Sequence, residues 1–249
     1  MKNIYFFIGL PRAGNTLLAN FINQSKNLIM TANSITPSIL YAIECIREDW
    51  IFKNFPDNNS LDNVLKNTLQ SYYKNWKTEN ILDRGPWGTI ENLEIVYKIN
   101  KNPKFVVLHR PIHECVASFV KLEKPVNVEK YVESLLNGSY MFVLLKNIWA
   151  INNLVKSKIP FYKITYEDIV LRTEKTVNGL FKYLDITPSN INYNKITQLN
   201  INGISYDDKY IVKNLHKIRT NKVKKDKYEV KNYLSKKLIN LCNKYEVKF

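Results

Sequence analysis

The chain has 249 residues, 45% of them hydrophobic, which is enough to bury one sizeable core and too apolar for a disordered segment. Its formal net charge of +15 implies either an anionic partner (nucleic acid, an acidic membrane surface, a strongly anionic small molecule) or simply a lysine-rich solvated surface. No apolar run approaches the roughly 20 residues that span a bilayer. The three cysteines, Cys45, Cys115 and Cys242, match no metal or disulfide framework, and no secretory core precedes the first strand, so a reducing, cytoplasmic setting is expected.

Ile4–Ile8 is an unbroken apolar run ending at Gly9, the pattern of a buried parallel strand. A turn over Gly9–Gly14 leads into a helix expected from Asn15 to about Ser25, with Leu17, Leu18, Phe21 and Ile22 on one face. Residues 34–79 read as mostly helical, with a loop near Phe55–Ser60. Asn80–Asp83 is a second short strand, and a helix is predicted from Thr89 to Asn100. Lys104–Leu108 is a third buried strand, after which Pro111 opens a helix. Cys115 falls in the apolar pattern of that helix and reads as a small buried hydrophobe. Helical residues 127–156, interrupted near Gly138, precede a fourth strand at Phe161–Thr165 and helices around 168–184. Residues 213–231 hold eight Lys or Arg against two acids, and a final amphipathic helix is expected over about 229–245. Strands alternating with helices predict a parallel sheet covered on both faces. No linker divides the chain, so residues 1–249 read as one domain.

Gly9-x4-Gly14-Asn15-Thr16 sits between a strand and a helix. There backbone N–H groups and the positive end of a helix can meet an anion, and Thr16 can add a hydroxyl. The ATP-binding form of the loop needs Lys after its second Gly. Asn15 stands in that place, and the basic residue is Arg12 inside the loop, which disfavours a nucleotide kinase. The alternative is an ordinary strand-to-helix turn. A second anion site is suggested by Arg110 at the end of the third strand and Ser118 eight residues on. Two helical turns place both beside one phosphate, and a guanidinium offers it a planar fork. Alternatively Arg110 pairs with a surface carboxylate.

Pro11-Arg12-Ala13-Gly14-Asn15-Thr16-Leu17-Leu18 resembles the 5′-phosphosulfate loop of the sulfotransferases that use 3′-phosphoadenosine 5′-phosphosulfate (PAPS). It is closer to the tyrosylprotein and carbohydrate branches than to the phenol and steroid branch. Arg110 and Ser118 resemble the family's 3′-phosphate site. The resemblance implies a P-loop-type three-layer α/β sandwich with a central parallel sheet of about four to five strands flanked by helices. It also implies sulfuryl transfer from PAPS to a hydroxyl acceptor on a carbohydrate, a peptide tyrosine or a small metabolite, with no metal, no nucleic-acid partner and no membrane span. Arg12, Ala13, Gly14, Asn15, Thr16 and Leu17 would then hold the 5′ end of the donor. Arg110 and Ser118 would hold its 3′-phosphate, Tyr166 would contact the adenine, and Lys217 and Arg219 would close over the phosphate. Arg84, at the end of the second predicted strand, occupies the place of the family's catalytic Lys and joins Arg12 as an electrostatic stabiliser. A guanidinium cannot donate a proton at neutral pH. Pairing of Arg84 with Asp83 is the alternative role.

A hydroxyl acceptor normally needs a general base. The phenol and steroid branch has a His two residues after its Lys, where this chain has Pro86. The tyrosylprotein branch has a Glu after its first helix, where this chain has Met30–Ser34. Glu44, Glu48, Asp49, Asp83 and His216 are the remaining candidates, and His109 reads as a buried strand-end residue. A nucleotide kinase, a nucleic-acid or anionic-surface binder and a sulfotransferase-like protein without activity remain alternatives.

Overall fold

A computed structural model describes residues 1–206, 223 and 229–249. In chain order the described elements begin β1 (Asn3–Gly9), α1 (Asn15–Ile22), β2 (Ile29–Met30), α2 (Thr36–Glu44), α3 (Trp50–Asn54) and α4 (Asn58–Tyr72). The middle of the chain supplies β3 (Asn80–Arg84), α5 (Ile90–Ile99), β4 (Phe105–His109), α6 (Ile112–Glu123), α7 (Val128–Leu136) and α8 (Val143–Lys156). The last part supplies β5 (Phe161–Thr165), α9 (Tyr166–Leu171), α10 (Thr173–Leu184), β6 (Asn200–Ile201), β7 (Ile204–Ser205) and α11 (Lys236–Asn243).

Five strands form one parallel sheet in the order β2-β3-β1-β4-β5. The runs at β1 and β4 are apolar throughout because both faces are covered: Phe6, Phe7, Ile8, Phe105, Val106, Val107 and Leu108 are all fully buried. Right-handed crossovers put α1 and α10 on one face and α2, α5 and α8 on the other. In agreement, α1 packs on α10 and α8 packs on β1. Trp87 fills the second layer, edge-on to Phe6 with ring centroids 5.0 Å apart.

Several boundaries differ from the sequence-based expectation, each for a local reason. β2 is two residues at a sheet edge, too short to show alternation. The helical stretch at 127–156 is interrupted at Gly138 as expected, the break running over residues 137–142, where Gly138 and Met141 both have positive φ (79° and 50°). The terminal helix starts only at Lys236, because Ser235 caps it by accepting from the Leu238 N–H, and a short 3₁₀ turn over Val230–Asn232 precedes it. β6 and β7 form a hairpin about Asn202-Gly203, whose φ values of 53° and 80° suit the tight turn that Asn-Gly favours. No helix among the described residues is long and apolar enough to cross a membrane.

β1 runs into α1 on one face, and β4 into α6 on the other. The carboxyl ends of these neighbouring strands therefore border a crevice where the connections diverge, the position at which open α/β sheets bind ligands. Arg12, Arg84, Arg110 and Tyr166 all follow strand ends on this edge.

Candidate functional site

The turn between β1 and α1 is shaped from within. The Asn15 side chain is buried and donates from Nδ2 to the Leu10 carbonyl at 2.8 Å. The Ala13 N–H donates to the same carbonyl at 3.1 Å. A Cβ on Gly9 would stand 1.7 Å from Asn15 Oδ1, so only glycine fits over this amide. Asn15 therefore does a structural job at the position where an ATP-binding loop carries its Lys. Ala13, named from the sequence as a contact of the anion, has its N–H directed into the turn. The turn closes with Arg12 and Gly14 both at positive φ, 66° and 96°. α1 has no side-chain cap, and the N–H groups of Gly14, Asn15, Thr16 and Leu17 make no hydrogen bond among the described residues. Free donors and the helix dipole thus face the crevice together.

Arg110 and Ser118 reach the same place, and both are about nine-tenths buried. Arg12 Nε donates to Ser118 Oγ at 3.1 Å, and Arg110 Nη1 donates to the Arg12 carbonyl at 3.0 Å. The Arg110 guanidinium also lies 4.0 Å from the centre of the Tyr166 ring and pairs through Nε with Glu114 at 2.9 Å. Tyr166 in turn packs against Gly14. The sequence suggested two separate anion pockets; the side chains instead form one continuous cluster, because Arg12 folds back along the crevice to Ser118. Tyr166 is set by a capping box in which Thr165 and Asp168 satisfy the first N–H groups of α9.

Deeper contacts hold Arg110. His109 Nε2 and Glu246 Oε1 lie 2.7 Å apart, and Glu246 Oε2 accepts from the Ile112 N–H at 2.8 Å. Burial alone would raise the Glu246 carboxyl, but His109 and the Ile112 N–H outweigh it and hold it below the usual carboxylate range. His109 is thus the buried strand-end residue expected from the sequence. Burial pushes the Cys115 thiol up to about 12, the behaviour of an inert core side chain.

Arg84 ends β3, next but one to β4 across β1. Its N–H donates to Thr31 Oγ1 at 2.7 Å and its guanidinium to the Ala32 carbonyl. Burial lowers its pKa, opposed by the Tyr206 phenol, yet a guanidinium remains a cation. The alternative pairing with Asp83 is not formed. Asp83 is fully buried and accepts instead from Thr36 Oγ1 at 2.5 Å. Burial raises its carboxyl to about 6, opposed by the nearby hydroxyls of Thr36, Ser34, Tyr73 and Thr31.

The other candidate bases are engaged elsewhere. Glu44 pairs with Arg47 and Lys98, Glu48 pairs with Lys53, and Asp49 caps α3. His216, Lys217 and Arg219 lie outside the described residues. The buried network around Asp83 gave no sequence signal beyond the carboxylate itself, because its members come from three separate segments.

Two clefts lie at opposite ends of the strands. One of about 490 Å³ lies between the starts of α2 and α5 and one face of α8, lined by Pro37, Tyr41, Ile90, Phe142, Lys146 and Trp149 among others. It is on the strand-end side, and Pro37 touches the turn at Gly85 just after Arg84. A shallower cleft of about 570 Å³ sits at the opposite edge, among Asn3, Asn80, Lys104 and Asp185, far from the cationic cluster.

Solved structures share this architecture. The "Sulfotransferase Domain from the Curacin Biosynthetic Pathway" superposes with a TM-score of 0.51 at 18% identity, covering 76% of each chain. The "Sulfotransferase Domain from the Synechococcus PCC 7002 Olefin Synthase" gives 0.51 at 15% identity, covering 76% of this chain and 75% of the other. No curated protein sequence matches the chain. At such identities the likeness speaks for the fold alone. A sequence profile described as "Sulfotransferase family" matches residues 5–189, a span that contains the Arg12 turn, Arg84, Arg110, Ser118 and Tyr166, and the chain belongs to that family.

Proposed function

We propose that this chain transfers the sulfuryl group of PAPS to a hydroxyl acceptor. The observation that carries the reading is the meeting of Arg12, Ser118, Arg110 and Tyr166 beside the uncapped start of α1. A donor with phosphate groups at both ends of an adenosine needs two cationic contacts, free N–H donors and a flat ring within one crevice, and these residues fit it. Gly14, Asn15, Thr16 and Leu17 offer backbone N–H groups to the 5′ end, with the Thr16 hydroxyl beside them. Arg110 and Ser118 take the 3′-phosphate. Arg110 covers one side of Tyr166, so the adenine meets the remaining face or edge.

Sulfuryl transfer places negative charge on the transferring group and on the bridging oxygen. Fixed cations aimed at those atoms lower the barrier without rearranging. Arg12 and Arg84 fill that role. The aromatic cleft beside α2, α5 and α8 receives the acceptor, with rings for an apolar or sugar face and Lys146 for a polar group. A nucleotide kinase is the weaker reading, since Asn15 carries no charge to bridge terminal phosphates.

Two measurements test the proposal: thermal shift with adenosine 3′,5′-bisphosphate, and transfer of label from ³⁵S-PAPS to phenolic, peptide and sugar acceptors. Binding and transfer are the expected outcome. A larger shift with ATP and magnesium than with the bisphosphate overturns it.

A further inference from the structure

Every carboxylate candidate for a base among the described residues except Asp83 is committed to an ion pair or a helix cap. Asp83 itself is buried, and a chain of hydroxyls leads away from it. Thr36 Oγ1 lies 2.5 Å from Asp83 Oδ2, and Ser34 Oγ lies 2.8 Å from Thr36 Oγ1. Ser34 is only partly buried, and its N–H donates to the Arg84 carbonyl at 3.1 Å. The outer end of the chain therefore lies beside the Arg84 backbone, at the carboxyl end of β3. The fully buried Tyr73 hydroxyl meets Ser34 Oγ at 3.2 Å and fixes it from behind. The Thr36 N–H also donates to Ser34 Oγ, at 3.2 Å. Asp83 Oδ1 is buried without a hydrogen-bond partner, so the carboxylate keeps unused acceptor capacity.

We propose that Asp83 is the proton sink of sulfuryl transfer, reached from the acceptor through Ser34 and Thr36. This rests on the sulfotransferase reading. The acceptor oxygen forms its bond to sulfur while its proton passes to Ser34 Oγ. The Ser34 proton passes to Thr36 Oγ1, and the Thr36 proton to Asp83 Oδ2. The bond from sulfur to the bridging oxygen breaks, and its electron pair stays on the phosphate of adenosine 3′,5′-bisphosphate. Asp83 ends neutral and returns its proton to water by the reverse path. Hydroxyls hydrogen-bonded in series can carry a proton in this way without a side chain entering the crevice.

Burial sets the Asp83 titration, opposed by the hydroxyls of Thr36, Ser34, Tyr73 and Thr31, and the Tyr72 and Tyr73 phenols that face it from the end of α4 stay neutral across neutral pH. A carboxyl raised to about 6 is ionised and able to accept at pH 7.

The test compares wild type with Ser34→Ala, Thr36→Val, Thr36→Ser and Asp83→Asn. Each is assayed for bisphosphate affinity and for turnover of ³⁵S-PAPS against pH, with water, 2-naphthol, a tyrosine peptide and chitobiose as acceptors. Wild type is expected to lose kcat as pH falls through about 6. Ser34→Ala and Thr36→Val are expected to lower kcat about 100-fold, to remove that acid limb and to leave bisphosphate affinity within about twofold, with Thr36→Ser restoring both kcat and the limb. Thr36→Val or Ser34→Ala retaining the rate and the acid limb overturns the relay while leaving the sulfotransferase reading intact. Donor binding without turnover of any acceptor, water included, also overturns the relay. A wild type that neither binds the bisphosphate nor turns over donor overturns both.

Discussion

Replacing Arg110 by methionine keeps an unbranched stem and removes the guanidinium. In the free protein the loss falls on the Arg12 carbonyl at 3.0 Å, Glu114 at 2.9 Å and the Tyr166 ring at 4.0 Å. Leaving such partly buried partners unmatched costs about 1–3 kcal/mol, so the free variant melts a few degrees lower. The larger effect is on the ligand. A bidentate guanidinium–phosphate contact contributes two charge-assisted bonds, about 1.5–3 kcal/mol each, so affinity for adenosine 3′,5′-bisphosphate falls at least ~100-fold. At a ligand concentration 100 times the wild-type Kd, binding stabilises wild type by about 2.7 kcal/mol and the variant by about 0.4 kcal/mol. For a domain of this size that is a Tm rise of about 5–11 °C against about 1–2 °C. Thermal denaturation with and without ligand reads both quantities separately. A variant that keeps the wild-type rise with ligand, at an equal or lower Tm without it, refutes the assignment of Arg110 to the 3′-phosphate.

Gly9→Ala drives a methyl group into the Asn15 amide and is expected to cost about 1–3 kcal/mol in urea denaturation, with bisphosphate affinity falling as the turn opens. Thr165→Ala removes one half of the capping box on α9, costing about 1–2 kcal/mol and weakening bisphosphate binding through a displaced Tyr166. The depressed Glu246 carboxyl stabilises the fold above its unfolded value of about 4.5, and that contribution is lost as pH falls below it. Glu246→Gln therefore lowers stability at pH 7 and flattens the acid side of a Tm-versus-pH curve; an unchanged acid slope counters the assignment.

The strands and the strand-end cations were legible before any coordinates because parallel strands buried on both faces leave unbroken apolar runs. Gly9 and Arg110 each end or follow such a run, so the edge on which the site assembles could be read directly. The contents of the crevice were less legible. Nothing in the spacing of Arg12 and Ser118 says that one guanidinium would bend to the other's hydroxyl, since that depends on a left-handed φ at Arg12. The relay to Asp83 draws on Ser34, Thr36 and Tyr73, which meet only through the packing of α2 and α4 against β3. β2 carries no signal because two residues at an edge have no periodicity, whereas the break before α8 is announced by Gly138. Arg84 stands at a strand end as expected, and its turn to the Ala32 carbonyl rather than to Asp83 follows from the pleat, which sends successive side chains of β3 to opposite faces.

The amide of Asn15 gives the anion loop a memory of its shape. A neutral side chain tied to Leu10 holds the cup in shape from within the chain itself. Capture then requires little rearrangement, so association should run near the pace at which charge draws a dianion to a basic surface, slowing as added salt screens that pull.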